Sequence, residues 1–125
     1  MRRNGQIVQL RKRATGEILL ARLRWCAAFG CRLRGLTLRR GLAPGEGLVL
    51  VESRESRLDS SIHMLFVFFP LAVLWLDNAG RVVDTRLARP WRPAYLPRVP
   101  ARYIVEAAPA LLDLVSVGDE LEFTL

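Results

Sequence analysis

The sequence predicts a mainly β fold of the β-rich α+β kind: a single-domain sandwich or partly open barrel with one or two short helices. Three observations carry this. The densest apolar run, Ile62 to Leu76, is apolar on both of its period-2 faces, which fits extended chain covered from two sides. It ends in Asp77-Asn78-Ala79-Gly80, where Asp and Asn tolerate turn geometry and Gly accepts positive φ, so a hairpin should follow. Short β-rich runs then recur at turn-separated intervals. The run does not read as a membrane span: it has His63 near its start and Pro70 inside it, and a spanning helix needs roughly 20 apolar residues.

In chain order, Gln6 to Arg11 reads as a strand, Ala14-Thr15-Gly16 as a turn and Glu17 to Arg24 as the return strand. The period changes over Trp25 to Leu36. At helical spacing Trp25, Cys26, Phe29, Leu33 and Leu36 fall within an arc of roughly 100°, flanked by Arg32 and Arg34, so a short amphipathic helix is expected, ending near Gly35 or Gly41. Residues 42–47 read as a loop and Leu48 to Val51 as a short strand. The charged, aperiodic stretch Glu52 to Ser60 is expected to be an exposed loop and the most mobile segment. Two strands joined by a bend at Phe69-Pro70 should follow, with Ile62, Met64, Phe66 and Phe68 on one face of the first and His63, Leu65, Val67 and Phe69 on the other. Arg81 to Leu87 is the return strand. Residues 88–101 carry Pro90, Pro93, Pro97 and Pro100 around Trp91 and Tyr95, and read as a long, stiff connection of a length that is often functional. Arg102 to Glu106 is a strand, Pro109 to Leu114 one or two helical turns, Val117-Gly118-Asp119 a turn and Glu120 to Leu125 a closing strand.

A chain of 125 residues with 51% hydrophobic content can bury a core and is not disordered in composition. Its net charge of +7 is unevenly spread. Residues 1–45 hold eleven basic side chains and one acid, Glu17, whereas residues 104–125 hold five acids and no base. Lying side by side, the two ends would partly neutralise each other; lying apart, they would leave the chain a true basic face. Cys26 and Cys31 cannot build a structural zinc site, which wants about four ligands, with one distant histidine. Free, semi-buried thiols in a reducing cytosol are the expected state, with a disulfide as the alternative, and no cofactor or metal is implied. The basic N-terminus is not followed by an apolar signal-peptide region, which points to the cytoplasm.

The order of these pieces resembles the bacterial and archaeal domain of unknown function 192 family. The matching stretches are the opening hairpin, RLRGLTLRRGLAPGEGLVL at 32–50, SSIH at 60–63, FFPLAVLWLDNAGRVV at 68–83, RPW at 89–91, ARYIVE at 101–106 and SVGDELEF at 116–123. The resemblance implies a compact β-rich sandwich or barrel with a few short helices and brings no settled activity. The chain departs from the family pattern at Ala72, where an Asp usually stands two after the proline, and at Ala107-Ala108-Pro109-Ala110, where a Gly often lies.

Candidate functional residues are few. His63 is the lone side chain whose ordinary pKa lies near neutrality. With Ser61 it invites a nucleophile reading, but no base-orienting acid is placed by spacing, and a hydrogen-bonded structural histidine is the commoner outcome. Asp77 and Asp119 read as turn formers. Glu106 closes an apolar strand, where it could meet an arginine at a sheet rim. Gly45-Glu46-Gly47 lacks the Lys and helix of a phosphate loop. Arg22, Arg24, Arg32, Arg34, Arg39 and Arg40 form a basic cluster, read first as a solvated face, then as a nucleic-acid surface, then as a contact for an acidic partner, an anionic ligand or a membrane with Trp25 and Phe29 as anchors. Arg89, Trp91, Arg92 and Tyr95 could rim a cleft suited to a polyanion or sugar. The reading that results is a non-enzymatic ligand-binding or interaction module with contacts from His63, Arg32, Arg34, Trp91 and Arg92 and no catalytic residue. Its partner would be a small anionic or sugar-like ligand or an acidic protein. The alternatives are a hydrolase or carbohydrate-acting enzyme using His63 with Asp77 or Glu106, and non-specific nucleic-acid binding.

Overall fold

The computed structural model describes residues 3–36, 39 and 41–125, apart from the side chains of Phe29, Leu33 and Arg34. The described residues form seven strands in one sheet: β1 (Ile7–Lys12), β2 (Ile18–Cys26), β3 (Glu46–Ser56), β4 (Leu71–Leu76), β5 (Val82–Ala88), β6 (Ala101–Ala107) and β7 (Leu121–Thr124). A helix, α1 (Phe29–Arg34), follows β2, and a 3₁₀ turn, Pro109–Asp113, follows β6. The strand order is β5-β4-β6-β3-β2-β1-β7, with β2 and β3 parallel and the other neighbours antiparallel.

The sheet curls into a half-barrel whose two outermost strands meet at one end. Arg81 forms a bridge with Glu120, Val82 N–H donates to Asp119 O at 2.8 Å and Leu121 N–H donates to Gly80 O at 2.9 Å. This is the partly open barrel that the strand spacing predicts. The opposed charges of the chain ends meet at the neighbouring β1–β7 pair. β1 lies against β7, and Arg11, Lys12 and Arg13 pair with Glu122, Asp119 and Glu120.

Both faces of the sheet are covered, so strands at its middle alternate between two cores. Val49, Leu74 and Val105 join one cluster with Leu10, Leu23 and Leu121; Leu48, Val73 and Ile104 join the other with Met64, Val67 and Tyr95. All six residues of β4 are buried, because β4 lies inside the order with apolar layers above and below. Its hairpin to β5 turns at Asp77–Gly80, where Asp77 Oδ1 accepts from Ala79 N–H and Arg81 N–H at 2.9 and 3.0 Å. Asp77 is thus the turn former its sequence suggests.

Four expectations need correction. Residues 61–69 are not a strand. They run irregularly over the second core, with a single bridge from Ile62 to Tyr95. Two apolar faces cannot distinguish a central strand from a roof that buries Ile62, Met64 and Val67 while exposing Leu65 and Phe66. Glu52–Ser56 is not loop but the second half of β3, exposed beyond the edge of the core and still paired through Ser56 to Ala101. The expected helix over Trp25–Leu36 shortens to α1, since Trp25 and Cys26 finish β2 opposite Val49 and Leu50; the stripe members Phe29 and Leu33 lie outside the described side chains. Finally, Cys26 and Cys31 form a disulfide rather than free thiols, the turn into α1 bringing their Cα atoms to 5.6 Å. Among the described residues no helix is long and apolar enough to cross a membrane.

Candidate functional site

A polar cavity lies where the roof segment 61–67 and the C-terminal end of α1 meet the second face of the sheet. Its volume is about 50 Å³, and Glu106, His63, Ser61 and Arg32 supply its polar lining among Met64, Val67 and Leu71.

Glu106 is the unusual member. It sits in β6, opposite Leu48 of β3 and Val73 of β4, in the interior of the sheet and not at a rim. Strand alternation points it into the second core, and it is 4% exposed. Among the described residues no side chain or backbone N–H donates to its carboxyl, and no arginine pairs with it. Burial therefore raises its pKa to about 7, because the charged form has lost water and gained no counter-charge. At neutral pH this carboxyl is poised between donor and acceptor states. Gly35, at φ +51, passes over it: a Cβ at that position would stand 3.8 Å from Glu106 Oε1.

The walls are held by specific contacts. A helix of six residues is too short to persist alone. Asn4 Oδ1 accepts from Ala27 N–H and Ala28 N–H, both at 3.0 Å, and the Cys26–Cys31 bond ties α1 to the end of β2. Arg32 completes the anchorage. Its guanidinium donates to Ala27 O at 2.8 Å and Val51 O at 3.2 Å, and its Nε lies 3.3 Å from Glu52 Oε2. Glu52 in turn has its pKa raised by burial, against the pull of Arg32. The expected ligand contact Arg32 is thus engaged with the protein itself while lining the cavity. Trp75 Nε1–H donates to Ser60 O at 2.8 Å, fixing the start of the roof.

The Pro-rich connection clamps the roof from outside. Tyr95 and Ile62 exchange backbone hydrogen bonds of 2.8 and 3.0 Å, and Met64 N–H donates to Arg92 O while Trp91 N–H donates to Met64 O, both at 2.7 Å. This contact places His63 and Trp91, remote in sequence, on one structural unit. Trp91 and Phe66 both adopt positive φ, 68° and 59°, which is strained for bulky residues. Their rings lie 5.1 Å apart, with Phe68 5.7 Å from Trp91, and the three side chains stand about half exposed at 52, 49 and 50% for Phe66, Phe68 and Trp91.

Of the five residues singled out by sequence, His63 and Arg32 line the cavity; Trp91 and Arg92 lie on the clamp outside it, with Arg92 exposed; the Arg34 side chain lies outside the described residues. Asp77 is in its turn, away from the cavity. The member undervalued from sequence is Glu106. Its signal was an acid in an otherwise apolar strand, Tyr103-Ile104-Val105-Glu106-Ala107, where a rim position would have left one flank polar.

The family model of uncharacterised ACR, domain of unknown function 192, matches residues 3–123. The UPF0127 protein of Thermococcus sibiricus is 36% identical over 110 residues, spanning 86% of this chain and 70% of that protein. The UPF0127 protein of Pyrococcus furiosus is 34% identical over 110 residues, spanning 86% and 91%. Among solved structures, a proposed transcription regulator from Sinorhizobium meliloti 1021 matches with TM-score 0.84 and 22% identity over 98% of both chains. A protein of unknown function from Novosphingobium aromaticivorans matches with TM-score 0.75 and 17% identity over 93% of this chain and 83% of that one. At such identities these two share the fold and nothing finer.

Proposed function

The chain belongs to the uncharacterised domain of unknown function 192 family, and from that premise we propose that it is a non-enzymatic ligand-binding module whose binding residue is Glu106. The observation that carries the reading is a buried carboxyl facing a cavity with no described partner. Leaving such a group in a core costs several kcal/mol unless something hydrogen-bonds it. A ligand group that donates to Glu106, with His63 and Ser61 beside it, offsets that cost. A cavity of about 50 Å³ holds a hydroxyl, amine or hydroxymethyl group and not a sugar ring or a base. On this proposal the ligand is a sugar-like molecule that inserts one hydroxyl-bearing tip and rests its body outside.

A thermal-shift and ligand-observed NMR screen with mono- and disaccharides, nucleotides and polyanions tests this. Saturable binding of a saccharide, abolished in Glu106→Gln and weakened in Ser61→Ala, supports the reading. Saccharide binding that survives Glu106→Gln, or none across the screen, sinks it.

One observation favours a second reading. A carboxyl with a pKa of about 7 beside a histidine is what acid–base chemistry at neutral pH uses. Turnover of a chromogenic glycoside or ester panel by the native chain, lost in both Glu106→Gln and His63→Gln, would replace the binding reading with this one. The cytoplasmic location belongs to the proposal with one consequence: disulfides are rare in a reducing cytosol, so Cys26 and Cys31 would be held reduced there. Thiol trapping in the native cells reads that state directly.

A further inference from the structure

A second cavity, on the other side of Leu36, is built from arginine. Arg22 and Arg24 lie two apart on β2 and so project from the same face. The parallel register sets Arg22 beside Glu46 and Arg24 beside Leu48. Arg39 reaches over from the chain beyond α1, and these groups enclose a cavity of about 160 Å³.

The charges in it do not balance. Glu46 is the single acid in its lining among the described residues. Its Oε1 is already shared between Arg39 Nη2 and Ala43 N–H, each at 2.9 Å. Among the described residues no carboxylate forms an ion pair with Arg22 or Arg24. Arg11 and Arg13 are paired with acids across β1 and β7, whereas Arg22 and Arg24 stand side by side at a cavity wall where the charge of Glu46 is divided between Arg39 and Arg22. Like charges on neighbouring positions of one strand face repel. The arrangement is stabilised by whatever anion enters. Guanidinium groups match the spacing of oxygens on a tetrahedral oxyanion, which they can grip with paired N–H donors. The volume is about that of five liquid waters, enough for one phosphate group with part of its shell.

We propose that this cavity is an oxyanion site that takes a phosphate group through Arg22 and Arg24, with Arg39 held ready by Glu46. A free phosphate or phosphomonoester and the backbone of a polyanion offer the same chemistry. Among the described residues the site shares only Leu36 with the cavity of Glu106, and it stands whether or not that cavity binds a ligand.

The test is titration of ¹⁵N-labelled protein with inorganic phosphate against sodium chloride of matched ionic strength. Saturable shifts should centre on the amides of Leu23, Gly47 and Leu48. They should weaken by about tenfold or more in Arg22→Gln and in Arg24→Gln, both partly exposed positions whose folding is checked by the unchanged remainder of the spectrum. Arg11→Gln, which removes an equal charge paired to Glu122, should leave the titration unchanged. A second arm uses an oligodeoxythymidine of about a dozen nucleotides. Tighter binding than phosphate at the same amides, with a salt slope of several counterions, assigns the site to a polyanion; equal or weaker binding assigns it to a single phosphate group. Shifts that track ionic strength alone, scatter over the surface, or persist in Arg24→Gln overturn the proposal.

Discussion

Replacing Glu106 with Gln should flatten the pH dependence of stability. The carboxyl has an ordinary pKa of 4.5 in the unfolded chain and about 7 in the fold, because burial disfavours its charge. Between those values the native state holds a proton that the unfolded state has released, so stability falls as pH rises. The contribution is fully favourable below the unfolded value and is lost as pH climbs through the folded one. A displacement from 4.5 to about 7 corresponds to about 3 kcal/mol over the whole window, of which about 2.5 kcal/mol falls between pH 5 and pH 8. Gln fills nearly the same space and does not ionise. The other titrating groups, among them Glu46 with its lowered pKa and Glu52 with its raised one, are common to both proteins and cancel in the difference. Urea denaturation of both proteins at pH 5, 6, 7 and 8 therefore isolates Glu106. The variant should gain on the native chain by about 2.5 kcal/mol from the lowest pH to the highest. Curves that stay parallel within about 0.5 kcal/mol would mean that Glu106 keeps water or a counter-charge in solution, and the argument for a binding cavity would lose its basis.

Three further outcomes follow from the same structure. Changing both Cys26 and Cys31 to Ser, or reducing the native chain, should cost about 2 kcal/mol by the loop-entropy model, read as a lower urea midpoint, since the bond closes a short loop that holds α1. Gly80→Ala should destabilise by about 2 kcal/mol or more: φ is +85° and a Cβ would stand 2.5 Å from Leu121 O, so either the β4–β5 turn or its junction with β7 must shift. Arg13→Ala should cost about 1 kcal/mol, more than Arg11→Ala, because Arg13 donates to Glu120 and Ala79 O at 2.7 Å and to Leu121 O at 3.1 Å, whereas Arg11 makes a single hydrogen bond, to Glu122; thermal melts of the two variants compare them.

Much of the scaffold can be read locally. The turns at Ala14-Thr15-Gly16 and Asp77–Gly80 announce their hairpins, and the doubly apolar run of β4 announces a strand covered on both sides. Reading fails where a residue's state depends on neighbours far along the chain. The roof over 61–69 has the apolar content of a strand, yet its backbone bonds go to the Pro-rich clamp at Trp91, Arg92 and Tyr95. β3 continues through Glu52–Ser56 although no period marks a strand exposed beyond the core. The helix stripe breaks at Cys26 because pairing of β2 with β3 overrides a local preference for helix.

The sequence by itself determined the β class, the two hairpins and the opposed charges of the chain ends that meet where β1 pairs with β7, since turn chemistry, period and charge are properties of adjacent residues. Only the tertiary structure decided that Glu106 is a buried carboxyl whose pKa is raised by desolvation, that Arg32 is spent on the protein's own carbonyls, and that Arg22 and Arg24 share a cavity rich in positive charge. Solvation and counter-charge are set by what is packed around a group in space, and those neighbours come from strands and loops that the chain brings together only when it folds.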